Sequence, residues 1–358
     1  MRTQGAARDG RAYPTTAELM AATGRVGRGL LEALAGEAAG GAGGRLEVEC
    51  PFNGEVFARV PRCDPGEVAG AFRRARAAQE RWGRLSFRER GRIFLRFHDE
   101  VLRRRDEILD LVQLETGKAR LHVFEEVMDV AIASRYYAHA AERHLRSRRR
   151  RGVVPLLTSA VHHRHPKGVV GFIAPWNYPL TLSISDAVPA LMAGNAAVIK
   201  PDRKTPLTAL WLVRLLRECG LPRELVQVVC GPGGELGPPI VENADFVMFT
   251  GSTATGREVA AAAARRLVGF SLELGGKNPM VVFEDADLDR AVEGAVRACF
   301  SSAGQLCMSA ERLYVHGAVY GEFLSRFAER AGRVRLGAGL HYGFEMGSLI
   351  SAGQLERV

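Results

Sequence analysis

Lysine is nearly missing from this chain. Five of its 49 basic residues are Lys and 44 are Arg, an imbalance that goes with the abundant Ala and Gly of GC-rich codon usage. The net charge of +9 is therefore a poor sign of nucleic-acid binding. The arginines are scattered, and no aromatic residues interleave with them as an RNA platform requires. Cysteine is sparse and unpatterned: six residues, at 50, 63, 219, 230, 299 and 307, with no CxxC spacing. That argues against a disulfide framework, and no metal site is expected. Apolar runs are short, none approaching the roughly 18 residues of a membrane span. The opening "MRTQGAARDGRAYP" lacks the apolar core of a signal peptide. No membrane partner is expected, and a reducing cytoplasm is the expected compartment.

What is present reads as a globular protein. Hydrophobic residues at 47% and charged residues at 25% allow sizeable cores, and the length allows two or three domains. The Gly-rich 36–45 reads as a loop. Asp64 followed by Pro65 predicts the start of a helix. Ser86 and Glu89 form a capping-box signature ahead of two helices, and 119–146 continues as a long amphipathic pattern. The segment 147–166, with its run of four arginines, breaks that pattern. It is expected to form an exposed hairpin whose charges face water.

From residue 168 the pattern changes. "GVVGFIAP", "AAVIK", "VQVVC" and "DFVMFTG" are short apolar strands, with helical stretches at 180–193, 205–219, 234–242 and 254–266 between them. Apolar strands alternating with helices predict an α/β fold with a doubly wound parallel sheet. Ligands of such sheets lie beyond the carboxyl ends of the strands, so those ends hold the candidate residues. "PWNYP" (175–179) holds Asn177 in a turn stiffened by two prolines, where its amide suits an oxyanion. "KPDRKTP" (200–206) presents Lys200. "FTGSTATGR" (249–257) offers Gly251, Ser252 and Gly256 at a helix start suited to phosphate, although it is not GxGxxG. In "SLELGGKNP", Glu273 follows an apolar run. A carboxylate in apolar surroundings is disfavoured in its charged form and suits general-base work. Cys307 lies 34 residues further on, in "SSAGQLCMSAERL". Most intracellular cysteines are buried and inert, so the cysteine by itself does not decide between nucleophile and core.

Taken together and in order, PWNYP, KP…TP, FTGSxxxG, LELGGKNP and GQxC resemble the aldehyde dehydrogenase superfamily, from about residue 50 to the end. "GSTATGR", "SLELGGKNPM" and "FSSAGQLC" are most similar to its bacterial succinate-semialdehyde dehydrogenase-like branch. The resemblance implies an NAD(P)-dependent oxidation of an aldehyde to a carboxylic acid. It assigns Cys307 as the nucleophile, Asn177 with the Cys307 backbone N–H as the oxyanion hole, and Glu273 as the base that activates water. It places Pro175, Trp176, Lys200, Arg203, Gly251, Ser252, Gly256 and Leu274 about the cofactor. Cys299 has no such setting and reads as core. Many NAD-using relatives carry Glu three residues after the lysine, where this chain has Arg203. A carboxylate repels a 2′-phosphate and an Arg can pair with it, so NADP is expected, with NAD the alternative.

The implied organisation is a tail at 1–14, a dinucleotide-binding domain at 15–146 and 167–273, an oligomerisation hairpin at 147–166, and part of a catalytic domain at 274–358. The family's catalytic domain continues further, so the chain is expected to be partial and, alone, inactive. The complete form is expected to be a homodimer or homotetramer. Succinic semialdehyde is the expected substrate. However, Ser301 and Ser185 occupy positions where well-studied enzymes of that specificity carry a carboxylate-binding Arg. Two alternatives stay open: a non-catalytic remnant that binds dinucleotide or partner subunits, and a CoA-acylating relative. Glu273 counts against the second, because such relatives generally lack the activating carboxylate.

Overall fold

The computed structural model describes residues 13–154 and 157–358; all but the last two residues of the expected tail lie outside them. The chain starts with helices α1 (Thr16–Thr23) and α2 (Arg28–Ala35) and the antiparallel pair β1 (Arg45–Glu49) and β2 (Val56–Pro61). Helix α3 (Pro65–Trp82) begins where Asp64 and Pro65 predict. The Asp64 carboxylate accepts from the Gly66 N–H at 2.8 Å, and Glu67 reaches back to the Asp64 N–H at 2.7 Å. Ser86 and Glu89 cap α4 (Phe87–Arg103) in the same reciprocal way. Helices α5 (Arg105–Thr116) and α6 (Arg120–Leu145) follow. Strands β3 (Arg148–Arg151) and β4 (Ser159–His162) then pair antiparallel, with every residue exposed, as the charge pattern of this segment leads one to expect.

The sheet is built next. Strand β5 (Val169–Ile173) leads into α7 (Pro179–Ile184) and α8 (Ala187–Met192), then β6 (Ala196–Lys200), α9 (Pro206–Glu218) and β7 (Val226–Val228). Helix α10 (Gly233–Asn243), β8 (Phe246–Thr250), α11 (Thr253–Arg265) and β9 (Gly269–Glu273) complete it. The single helix expected over 180–193 is two short ones. The break falls at Ser185, whose carbonyl lies four residues before Pro189, a residue with no N–H to donate and a ring that crowds that carbonyl. The five strands are all parallel, in the order β7-β6-β5-β8-β9. Strands β5 and β6 are buried at every residue, which accounts for their unbroken apolar sequence. Helices α3, α10 and α11 form one packed group on the sheet, and α4–α6 with α7–α9 form another.

Beyond the sheet, β10 (Asn278–Val282) pairs parallel with β11 (Ala310–Val315). Helix α12 (Leu288–Phe300) joins them, and α13 (Tyr320–Gly332) and α14 (Ala352–Arg357) follow. Val282, Val292, Ala295 and Phe323 form a small hydrophobic cluster here, separate from the large one around the five-stranded sheet. Cys299 lies on α12 and is half-buried rather than part of either cluster's buried centre. Among the described residues no helix is long and apolar enough to cross a membrane.

Gly171 shows how closely the helices press on the sheet. A Cβ there would lie 2.7 Å from Ile240 Cγ2 and 3.2 Å from Ala244 Cβ, both on or just after α10. We predict that Gly171→Ala forces α10 away from β5 and costs about 1–3 kcal/mol through overpacking. A denaturant midpoint equal to that of the parent chain would show that the helix yields freely.

Candidate active site

The strand order reverses between β5 and β8: the chain runs outward from β5 through β6 to β7, then returns to place β8 on the other side. At such a switch point the loops on either side diverge and leave a crevice beyond the carboxyl ends of the strands. All five strands are parallel, so every strand end picked out in the sequence lies on this one edge. Pro175, Trp176 and Asn177 follow β5, Lys200 ends β6 with Arg203 after it, Gly251 and Ser252 follow β8, and Glu273 ends β9 with Leu274 after it.

Two buried carboxylates fix the loops. Helix α7 starts two residues after Asn177, and its Leu180 and Thr181 N–H groups donate to Glu126 at 2.9 and 3.2 Å. Helix α9 starts after the Lys200 loop, and its Leu207 and Thr208 N–H groups donate to Glu115 at 2.7 and 2.8 Å. Burial pushes the Glu115 carboxyl up to about 8, against the pull of the hydrogen bonds it accepts. Glu126 also pairs with Lys118, and both are buried. Burial pushes the Glu126 carboxyl up and the Lys118 ammonium down, while each charge opposes the shift of the other. The Lys118 ammonium sits 4.0 Å from the centre of the Tyr178 ring, a cation over an aromatic face.

Past the end of β8, Ser252 caps α11 by accepting from the Thr255 N–H at 3.2 Å. Gly256 is packed against Leu274, whose Cδ2 is 2.6 Å from where a Cβ would be. Lys200 is buried, and desolvation lowers its affinity for a proton. Its ammonium donates to the Pro201 carbonyl at 2.7 Å, which leaves two of its three donors for another group. Arg203 is exposed and forms no ion pair among the described residues. Asp202 is turned into its own loop, accepting from the Lys204 N–H at 3.0 Å, and Lys204 lies 5.8 Å from the Trp176 ring centre.

Cys307 lies in a loop that meets the turn after β5. It follows the short turn Ser301–Gly304, in which Ser302 (φ 52°), Ala303 (φ 57°) and Gly304 (φ 72°) are all left-handed. The Asn177 Nδ2 donates to the Gln305 carbonyl at 2.9 Å, two residues before Cys307. A carbonyl can only accept, so the amide must face it with its nitrogen. Asn278 at the start of β10 holds the other flank, donating to the Cys307 carbonyl at 2.7 Å and the Ser309 carbonyl at 3.1 Å. Cys307 itself is exposed, whereas Cys50, Cys63, Cys219 and Cys230 are buried.

The surroundings of Glu273 differ from the sequence-based expectation. It is exposed rather than enclosed by apolar residues. Strand β9 is the sheet's edge, so the apolar run before Glu273 has a neighbour on one side only. Its nearby charge is acidic: burial pushes the Asp186 carboxyl up, and Glu273 and Asp129 add like-charge repulsion. The hydroxyls of Ser185 and Ser301 both have partners. Ser185 donates to Asp129 at 2.7 Å, and Ser301 to the Arg297 carbonyl at 2.6 Å.

The profile described as "Aldehyde dehydrogenase family" matches residues 39–358. This chain belongs to the aldehyde dehydrogenase family. It is 51% identical over 311 residues to a Mycolicibacterium smegmatis protein named "Putative succinate-semialdehyde dehydrogenase [NADP(+)]", covering 87% of this chain and 60% of that protein. A solved structure titled as an E. coli NADP dependent enzyme superposes with a TM-score of 0.85 at 33% identity, covering 88% of this chain and 66% of that one. The Staphylococcus aureus betaine aldehyde dehydrogenase in complex with NAD+ superposes with a TM-score of 0.86 at 29% identity, covering 92% and 68%. The chain therefore spans about 60% of the length of the curated relative it matches.

Reading the sequence alone missed the supports of this site. Tyr178 lay inside a motif already singled out, and Lys204 inside another. Glu115, Glu126 and Lys118 had no local signal, because a helical pattern does not reveal which carboxylate ends up dry. We predict that Glu126→Gln, which leaves the Lys118 charge buried without its partner, destabilises the chain by about 3–5 kcal/mol in urea. Combining it with Lys118→Met should recover most of that loss. A double variant as unstable as the single one would mean that the pair's mutual attraction is not what holds it.

Proposed function

We propose that the complete protein oxidises an aldehyde to a carboxylic acid through Cys307, passing hydride to a nicotinamide dinucleotide. The observation that carries this reading is the Asn177 Nδ2 to Gln305 carbonyl bond of 2.9 Å. It ties the turn after β5 to the loop that carries the only exposed cysteine among the described residues. The amide has two N–H groups and Gln305 uses one. The other is free for an oxygen placed at Cys307.

In this reading the Cys307 thiolate attacks the aldehyde carbon, and the carbonyl electron pair moves to oxygen. Asn177 Nδ2 and the Cys307 backbone N–H donate to that oxyanion. Collapse of the adduct expels hydride and leaves a thioester on the sulfur. Glu273 takes a proton from water as the water attacks the thioester, and the thiolate leaves as the acid forms. Its exposure gives water direct access to it.

The residues at the switch point fit a dinucleotide. An exposed, Ser-capped helix start after a glycine is suited to a pyrophosphate, and Lys200 has spare donors for ribose hydroxyls. When bound, the dinucleotide supplies the hydride acceptor. The exposed guanidinium of Arg203, with Lys204 beside it, supports NADP as the preferred form, as the name of the mycobacterial relative does for that protein. The same name supports succinic semialdehyde as substrate, with its distal carboxylate held otherwise than through Ser185 or Ser301. Initial rates with succinic semialdehyde and betaine aldehyde, whose distal groups carry opposite charge, test that choice.

Two outcomes follow. Cys307→Ser in the complete protein should lower aldehyde oxidation below detection while leaving dinucleotide affinity within about twofold, since a hydroxyl lacks the thiolate's nucleophilicity. Retained turnover would remove Cys307 from the chemistry. Arg203→Glu should move the ratio of NADP to NAD affinity by about ten- to a hundredfold toward NAD, the effect of one charge-assisted pair. An unchanged ratio in a binding titration would make Arg203 a surface residue.

A further inference from the structure

We propose that His122 is a positioning residue: as a neutral imidazole it anchors the left-handed turn that presents Cys307. Left-handed backbone costs roughly 1–2 kcal/mol at each residue with a Cβ, and here Ser302 and Ala303 both adopt it. A turn of this kind persists only where its surroundings hold it. At Ser302 they hold every polar atom. Its N–H donates to His122 Nδ1 at 3.3 Å, its hydroxyl meets the Tyr178 hydroxyl at 2.9 Å, and its carbonyl accepts from the Gln305 side chain at 3.0 Å. Gln305 is anchored in turn, its carbonyl by Asn177 and its Oε1 by the Ile350 N–H at 3.0 Å. Ser302 and His122 are both buried, so water does not replace these partners.

The His122 contact differs from the others because it is conditional on charge. A backbone N–H can only donate, so Nδ1 is the bare nitrogen and the ring's proton is on Nε2. Protonating Nδ1 turns the acceptor into a donor that faces another donor. The surroundings set how readily that happens. Burial pushes the His122 imidazole down from its ordinary 6.5. Glu125 on the same helix opposes that shift, while Lys118 from the α5–α6 turn and Arg297 from α12 reinforce it. Glu125 and Arg297 pair with each other. Tyr178 faces the same serine as a neutral phenol, pushed up to about 12 by burial. His122 also sits in the first turn of α6, where the helix dipole disfavours a cation. Because the folded value lies below the unfolded one, the anchor is fully present above about 6.5 and is lost as pH falls through the folded value.

This inference rests on Cys307 being the residue that the turn delivers, but its test needs no turnover, so it fails or holds separately from aldehyde oxidation. The measurement is amide hydrogen exchange of residues 301–306, normalised to intrinsic rates. His122→Asn is compared with the parent because the Asn Oδ1 stands where Nδ1 stands and does not titrate. In the parent, protection of the Ser302 amide should fall at least about tenfold between about pH 7.5 and the lowest pH at which the fold persists, as the imidazole acquires its proton. Protection of the β5 amides should not change. In His122→Asn the Ser302 amide should stay protected at both values, and in His122→Leu it should be lost at both. Equal behaviour of parent and His122→Asn across the range would overturn the proposal. Parent-like protection of Ser302 in His122→Leu at neutral pH would do the same. If the Leu variant does not fold, the Asn comparison alone decides.

Discussion

A helix that begins in a dry interior must find acceptors for its first amides, and at this crevice buried carboxylates supply them. Glu126 serves α7, and Glu115 serves α9. Burying a carboxyl group costs free energy, opposed here by the hydrogen bonds each one accepts and, at Glu126, by pairing with Lys118. That arrangement has a geometric consequence. Both helices start directly after loops that line the crevice, so fixing the first turn of each helix fixes the loop ahead of it. Asn177 is two residues from the start of α7, which leaves its amide little freedom. From there the Asn177–Gln305 bond carries the constraint to the turn before Cys307.

The parallel sheet and its intervening helices were largely legible in the sequence. The strands are apolar because both faces are covered, and the helices between them start at Pro or Gly-Ser signals that survive in a single sequence. The Asp64 and Ser86 caps are local, requiring contacts only within a turn, and so they form where the residues indicate. Tertiary effects were less visible. The split of 180–193 into two helices falls four residues before Pro189. That effect is readable in principle, but the apolar pattern masks it.

The site was legible in part, and the division has a physical cause. Strand-end residues can be located from the strand pattern, because a parallel sheet sends all of them to one edge. The environment of each is set by elements far away in sequence. Glu273 looked enclosed because its own strand is apolar, yet it stands at an edge and is exposed. His122 looked like any residue of an amphipathic helix, yet it meets Ser302 across 180 positions. Cys307 could not be separated from an inert cysteine by its immediate neighbours. Its exposure, and the left-handed turn that precedes it, set it apart from the four buried cysteines.

The proposed chemistry needs a nucleophile and a separate water-activating base, and one measurement tests both. In the complete protein, Glu273→Gln keeps the shape of the side chain but cannot take a proton from water. Incubated with succinic semialdehyde and NADP, this variant should stall after hydride transfer. Intact-mass spectrometry should then show one acyl group per chain, and peptide mapping should place it on Cys307. An acyl group on any other residue, or steady turnover with no adduct at all, would contradict the account.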